Sequence, residues 1–434
     1  MVVPSGSNPA TPWAKLTLQP AEREASMTFE IDARTSRRRL LAGLGGLGLM
    51  GVAGCAPGQI ARPGLVASNG LAPFDVVPPL APFRMKPDRI SKITVCLRPF
   101  RKAGPRLDVE TVGDKTVVHN YGHGGSGWSL SWGSGAIATK NALSTGETDI
   151  AVIGCGALGL TTATLLRRAG ANVTIYASER TPYTRSARAT GTWSPDSRIA
   201  AVGSTAPGFE AQWEEMCRTS YKAYQTYLGL AGDPVQWTDR YSLFDNRPGE
   251  GRVTPHDPNG VQFVEYVERV RDITPRSMTL APGQHPFPTP YARRGSSMQF
   301  NVAEYAHLLT TDFLLAGGKI ETMTFNTPAD LAVLKQKVVV NCTGYGARAL
   351  WKDESIIPVR GQIAWLIPQP EVNYGLYYKN VSVLPRRDGI VVQYVGDTEA
   401  WGYNDDNEVA SRSEAEKAIA TIAGLYGKAQ TGAN

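Results

Sequence analysis

Cysteine and histidine are scarce, five of each in 434 residues. Cys55, Cys96, Cys155, Cys217 and Cys342 lie far apart and none belongs to a CxxC pair, which argues against a disulfide framework and against a zinc site. The histidines show neither HExxH nor paired spacing, so no metal site is expected. Charge of either sign is nearly balanced: Lys plus Arg number 45, Asp plus Glu 39, and part of the net +6 sits in an Arg cluster near the N-terminus. No basic tract is interleaved with aromatics, so nucleic acid is not an expected partner. A spanning hydrophobic run is missing as well. The apolar stretch 40–54 is too short, at ~1.5 Å per residue, for an ordinary membrane span.

Apolar residues make up 42% of the chain and charged residues 19%. That composition builds a core and rules out disorder of the whole chain, and the length suits two or three domains. Residues 1–55 read as an export signal. Ser36, Arg37 and Arg38 followed by Leu40 and Leu41 resemble a bacterial twin-arginine (Tat) signal, with 40–54 as its apolar core. The glycines of that core make a buried helix a poor reading. Val52, Ala53, Gly54 and Cys55 resemble a lipobox, which implies a lipid anchor on Cys55 and a place in the cell envelope or periplasm. Met27 offers a second start that leaves a short segment before the arginines. Residues 56–88, rich in Pro, Gly and Ala, read as a linker.

Residues 148–179 read as a βαβ unit. A short apolar strand, 150–153, runs into Gly154, Gly156 and Gly159 of a GxGxxG motif. Leu158, Leu160, Ala163, Leu165 and Leu166 supply the apolar face of a helix, Gly170 ends it, and 173–176 is the second strand. Glycines there let backbone approach a pyrophosphate whose charge rests on the helix N-terminus. Strand, helix and second strand all flank the motif, which makes it a dinucleotide fingerprint. Ser178 or Glu179 stands where an acid would hold the adenosine ribose. Such a strand normally opens its fold, yet many residues precede it.

Further along, NCTG at 341–344 follows an apolar strand, 338–340. Arg360, Gly361 and Gln362 come next, then LPRRDG at 384–389 before a strand at 390–392. With the GxGxxG, this order resembles the FAD-dependent D-amino-acid oxidase family over roughly residues 88–425. Two motifs that the family carries at its C-terminus lie here before the dinucleotide motif: LRPFR, with Arg98 and Arg101, and HNYGHGG at 119–125. Residues 136–143 look like the family's final helix, joined to the first strand by 144–148. The resemblance therefore implies a circular permutation. Five joining residues span ~17 Å at most, so the two old ends must lie close, as domain termini often do. The new C-terminus, near 411–426, is then expected beside 89–95.

The expected fold is α/β: a Rossmann-like FAD-binding domain (148–229 with 300–357) and a mixed-sheet α+β substrate domain (230–299 with 358–410). Residues 89–147 are the permuted C-terminal part, and 411–434 a closing helix and tail. The middle of the chain is less readable. A helix with Trp213, Met216, Cys217, Tyr221 and Tyr224 at helical spacing is expected over 210–228, a strand over 241–244, a second helix over 300–315 and a strand over 319–325.

The resemblance also implies the site. Arg98 pairs with the substrate carboxylate through its planar fork. Tyr378, with Tyr377 a near alternative, is the second carboxylate ligand, and the Gly125 carbonyl meets the substrate amine. The N–H groups of Gly124, Gly125, Ser126, Gly127, Trp128 and Ser129 face the flavin edge where charge builds on reduction. FAD is the implied cofactor, held by Gly154, Gly156, Ala157, Leu158 and Gly159, by Ser178 or Glu179, and by Thr184, Arg185, Ser186, Thr190, Gly191 and Thr192. Phe325 and Thr343 belong near its adenine and pyrophosphate. Two departures stand out: Arg185 replaces a small hydroxyl residue, and the family's other active-site tyrosine falls at Ser382. His123 is either a functional group or a buried hydrogen-bonding one. Trp193 reads as core or pocket wall.

The implied reaction moves hydride from the Cα of a small-molecule amino-acid substrate, or related amine, to flavin N5, and the cofactor carries the chemistry. Oxygen as acceptor yields hydrogen peroxide beside an imino acid, hence 2-oxo acid and ammonia. A membrane electron acceptor makes the protein a dehydrogenase instead, and a flavin-binding lipoprotein without turnover is the third alternative.

Overall fold

The computed structural model describes residues 80–248 and 260–431, so the export signal with Cys55, the linker as far as residue 79, and residues 432–434 lie outside the described residues. The described chain opens with β1 (Ile90–Arg101), β2 (Val109–Val112), β3 (Lys115–His119) and α1 (Gly127–Leu143). Next comes the unit β4 (Asp149–Ile153), α2 (Ala157–Arg168), β5 (Asn172–Ala177), followed by α3 (Phe209–Gln225) and β6 (Val235–Phe244). After β7 (Met278–Leu280) and β8 (Tyr291–Phe300) run α4 (Val302–Leu315), β9 (Lys319–Thr322), β10 (Val338–Asn341) and the short α5 (Ala347–Leu350). The last stretch holds β11 (Ile356–Leu366), β12 (Tyr374–Tyr378), β13 (Val381–Arg386), β14 (Gly389–Tyr394) and α6 (Arg412–Thr431). Among the described residues no helix is long and apolar enough to cross a membrane.

One sheet has the order β2-β3-β10-β4-β5-β9. All its neighbours run parallel except β2 with β3. Its central strands β4 and β10 are almost uninterrupted apolar runs because helices or loops cover both faces. Helices α1, α2 and α4 pack on one face, with α3 behind α1. This is the Rossmann-like layer.

The second sheet has the order β1-β11-β14-β13-β12-β6-β8-β7, antiparallel except where β12 meets β6. Helix α6 closes one face of it, with Ala415, Ile419 and Ile422 in the same cluster as Leu376, Val383 and Val392. The fold is therefore α/β with a mixed-sheet second domain. Residues 89–147, read above as one block, are divided between the sheets: β1 joins the mixed sheet, whereas β2, β3 and α1 join the Rossmann-like layer. The apolar Val117 and Val118 explain this, since β3 runs in parallel register with β10. Helix α6 lies beside the start of β1, its first residue nearest to the segment that leads into that strand. Arg412 Nη2 donates to Pro87 O at 3.3 Å, and Ile90 and Ile93 pack against the cluster that holds Ile419.

Residues 80–88, read as the end of the linker, pack instead. Phe83 and Met85 are buried, and Phe83 meets Tyr374 edge-on at 5.1 Å. Two apolar side chains at alternate positions outweigh the Pro and Ala around them. Residue 300 ends β8 rather than starting a helix, and Asn301 separates it from α4. Helix α1 starts at Gly127, nine residues before the expected 136. Its Gly133 explains both the miss and the packing: glycine is a poor helix residue, but a Cβ here would overlap Met216 O, so α1 and α3 cross backbone against backbone.

Gly133→Ala is accordingly expected to destabilise the protein by about 1–3 kcal/mol through overpacking. Gly424→Ala in α6, where an added Cβ meets nothing within 4 Å, is expected to stabilise it by about 1 kcal/mol. Urea unfolding midpoints of the two variants measure both effects, and an unaltered Gly133→Ala midpoint would mean that the helices yield at this crossing.

Candidate active site

The turn between β4 and α2 needs its glycines for separate reasons. Gly154 has φ +102°, a conformation L side chains rarely adopt, and a Cβ there would lie 2.5 Å from Cys342 O. A Cβ on Gly156 would lie 2.7 Å from Ser186 Oγ, and one on Gly159 would overlap Gly154 O. Ala157 N donates to Ser186 Oγ at 3.0 Å. The next first-turn N–H groups, of Leu158 and Gly159, have no acceptor among the described residues, as at any helix start.

Helix α1 presents the same kind of end. Gly124 N donates to Pro99 O, Gly125 N to Ser197 O and Ser126 N to His123 O, each at 2.9 Å. These three N–H groups, expected at the flavin edge, are therefore spent inside the protein. Those of Gly127, Trp128 and Ser129 remain without an acceptor among the described residues. Trp128 Nε1 donates to Ser186 O at 2.9 Å, so one loop ties the starts of α1 and α2 together.

Between these helix ends lies a cavity of about 370 Å³, beyond the C-terminal ends of β4 and β10. Of the residues implied above, Gly154, Gly156, Ala157, Leu158, Ser178 and Glu179 line it. Thr184, Arg185, Ser186 and Thr190 line it from the loop after β5, Phe325 from the loop after β9, and Thr343 from the loop after β10. Arg98, Gly124, Gly125, Gly127 and Trp128 reach the same cavity from the upstream segment. Five of the residues implied for the cofactor do not line it. Gly159 packs the turn. Ser126 Oγ donates to Ser197 O at 3.0 Å, and Ser129 Oγ accepts from Ser194 N at 2.9 Å. Gly191, at φ +90°, accepts from Phe300 N at 2.7 Å and pins the loop to β8, while Thr192 turns to a neighbouring cavity.

Arg185 forks onto Glu408 with bonds of 2.8 and 2.7 Å and lies over the Tyr345 ring, which fixes the loop at the cavity rim. Thr184 Oγ1 is buried with no partner among the described residues. His123 is buried against the cavity with neither ring nitrogen bonded among the described residues, and burial pulls its pKa down to about 3. The ring is neutral at any physiological pH.

Arg98 stands on β1 opposite Val359, with Cys96 opposite Gly361 on the same face. Its Nη1 donates to Arg360 O at 3.1 Å and Val359 O at 3.4 Å. A Cβ on Gly361 would come within 2.6 Å of that Nη1, so this glycine makes the room that the guanidinium fills. Tyr378 does not join the site. It is buried in the apolar cluster under α6, and its hydroxyl donates to Asp245 at 3.0 Å. Strand alternation is the reason. Tyr377 is the residue that pairs with Ser382, and its hydroxyl donates to Asn380 Oδ1 at 2.9 Å.

A second, polar cavity of about 180 Å³ adjoins the first and shares Arg98, Gly125, Thr190 and Gln393 with it. Ser382 lines it together with Arg198 and Arg240, two residues the sequence reading missed. Arg240 had a readable signal: Tyr241 and Leu243 are buried in the α6-side cluster, so their neighbour must face the other way. Arg198 sits in irregular chain and offers no such signal.

Comparison with known proteins adds the following. The model of the FAD dependent oxidoreductase (DAO) family matches residues 149–429. A D-amino-acid oxidase of Streptomyces coelicolor is 28% identical over 272 residues, covering 61% of this chain and 74% of that protein. A D-amino acid oxidase of Dugesia ryukyuensis is 27% identical over 252 residues, covering 56% of this chain and 68% of that protein. Among solved structures, L-amino acid deaminase from Proteus vulgaris matches with a TM-score of 0.37 and 14% identity. It covers 57% of this chain, which spans only 60% of that structure.

FAD fits the larger cavity by the structure's own features: two helix starts with free N–H groups, a glycine cradle that a Cβ would fill, and the orphaned Thr184 hydroxyl. Gly154→Ala is expected to weaken FAD binding about tenfold or more, since the variant must strain a positive φ and displace the chain at Cys342. Fluorescence titration of the flavin-free protein measures this, and wild-type affinity in the variant would remove the turn from the cofactor site.

Proposed function

Because the chain belongs to the FAD dependent oxidoreductase (DAO) family and acts on amino acids with FAD as cofactor, we propose that it oxidises D-amino acids at Cα. The products are an imino acid, released as 2-oxo acid and ammonia, and hydrogen peroxide once oxygen has taken the electrons. The observation that carries this reading is the convergence of Arg98, encoded upstream of the dinucleotide motif, with Gly125, Gly154 and Ser186 on one cavity.

When bound, the flavin supplies the two-electron sink for the Cα–H bond. The chain supplies position and charge. Arg98, steadied by two backbone carbonyls, offers its remaining N–H groups to the substrate carboxylate, and a bidentate grip fixes the Cα orientation. The Gly125 carbonyl is the acceptor for the substrate amine. No side chain is needed as general base if the amine arrives neutral, which accords with a neutral His123. The N–H groups at the start of α1 stabilise negative charge that grows on the reduced cofactor.

We further read the chain as circularly permuted. Two features support this: β1 pairs along β11 far away in sequence, and α6, whose first residue bonds Pro87, packs beside the start of β1. Export by the twin-arginine route and a lipid on Cys55 are supported by Arg37, Arg38 and the 52–55 motif alone. That motif also favours a second reading, transfer of electrons to a membrane acceptor. Peroxide release in aerated buffer with a D-amino acid decides between the two acceptors.

Arg98→Ala is expected to keep FAD but to lose at least about a hundredfold in the anaerobic rate at which D-amino acids bleach the flavin band. Stopped-flow absorbance measures it. Wild-type reduction by the variant would sink the assignment of the carboxylate anchor.

A further inference from the structure

The polar cavity carries more positive charge than one α-carboxylate requires. Arg98, Arg198, Arg240 and Arg360 line it, and no Asp or Glu does. Arg360 is matched by Glu414, 3.2 Å away. The other three guanidinium groups have no carboxylate within 4.0 Å among the described residues. Arg240 donates to Ser382 Oγ at 3.0 Å. Arg198 donates to Glu399 O at 2.8 Å and Ser197 Oγ at 3.5 Å. Burial lowers the pKa of Arg98 and of Arg240. For Arg198, burial first and then the nearby charge of Arg98 bring it to about 10, with Glu399 giving partial relief.

Sheltered cations without partners are costly, and the cost is relieved when an anion arrives. The cofactor's phosphates do not explain these charges, because none of residues 154–159 lines this cavity. The cavity wall is also shaped around Arg240. A Cβ on Gly375 would lie 3.0 Å from its Cγ, and Ser382, small where the resemblance expects a tyrosine, accepts its hydrogen bond. If Arg98 holds the α-carboxylate, Arg240 and Arg198 are left over on the side-chain side of the substrate.

We propose that this cavity takes a second carboxylate, borne by the substrate side chain, and that the substrates are acidic D-amino acids such as D-aspartate and D-glutamate. The proposal rests on the reading of the chain as a D-amino-acid oxidase. Arg240 is its principal specificity residue and Arg198 the supporting one.

The test uses the FAD-loaded protein. Anaerobic flavin reduction is compared for D-aspartate against D-asparagine and for D-glutamate against D-glutamine, pairs of similar shape and different charge. The acid is expected to win by about a hundredfold in kcat/KM, the scale of leaving a sheltered charge unpaired. In Arg240→Met that ratio should collapse by about tenfold or more, and Arg240→Lys should restore part of it. As a readout without turnover, calorimetric titration of the wild-type protein should show succinate binding about tenfold more tightly than butyrate. D-asparagine matching D-aspartate, or butyrate matching succinate, overturns the proposal. If neutral D-amino acids reduce the flavin and acidic ones do no better, only this proposal falls. If no D-amino acid reduces it while succinate still outbinds butyrate, the oxidase reading falls and the dicarboxylate site stands.

Discussion

The pairing of β1 with β11 holds the site together. The two strands run antiparallel from residue 90 opposite 366 to residue 101 opposite 356, and this ladder brings Arg98 to a cavity whose other walls come from much later in the chain. Register decides the outcome. Side chains alternate faces along a strand, so a slip by one residue would turn the side chains of Arg98 and Cys96 away from the cavity. The register is fixed by packing on both faces: Val95 and Leu97 are buried, and Gly361 leaves space for the guanidinium and for nothing larger beside it. A second pairing does the same for the other half of the site. Because β3 lies parallel to β10, the segment that follows it emerges at the same sheet end as the Gly154 turn. Ligands of open α/β sheets bind at that end.

Electrostatics then divides the cavity system into two parts. At one part, two helix starts present N–H groups with partial positive charge, which suits a diphosphate and the electron-rich edge of a reduced flavin. At the other, the guanidinium groups of Arg98, Arg198 and Arg240 are gathered with no carboxylate within 4.0 Å among the described residues. Backbone dipoles suit a resident cofactor, since they are fixed and cost little to keep. Unanswered guanidinium groups suit a ligand that comes and goes, because their desolvation is relieved only while it is present. Arg185 contrasts with them: its charge is met by Glu408, and it acts on the loop rather than on a ligand.

What was legible in the sequence follows from how local each signal is. The Gly154–Gly159 turn depends on residues next to one another, and strand, turn and helix appear within a residue or so of where periodicity puts them. The start of α1 was illegible because the glycines in it lower helix propensity, and the one at 133 is explained only by Met216 on another helix. Tyr378 was misassigned because a motif offset locates a residue along a strand but not on a face of it. The burial of Leu376 with Tyr378 reveals the face. Arg198 lies in irregular chain, where no period exists to read. Ser382 was legible only as a departure from the resemblance, and its contact with Arg240 joins residues more than a hundred positions apart.

Chain order itself has little hold on this chemistry. The contacts that shape the site are strand registers, helix starts, glycine contacts and side-chain bonds, and none depends on which segment is made first. Joining residues 143 and 149 asks only for a short turn, and Gly146 supplies it with φ +81° and a bond from its N–H to Leu143 O. On the proposed reading, the price of rewiring falls on folding rather than on function. Strand β1 meets β11 only after some 260 residues have intervened, whereas in the unpermuted order β1 follows closely on α6. Such a long closure slows the search for the native pairing much more than it lowers the stability of the finished fold, since closure entropy rises only with the logarithm of loop length.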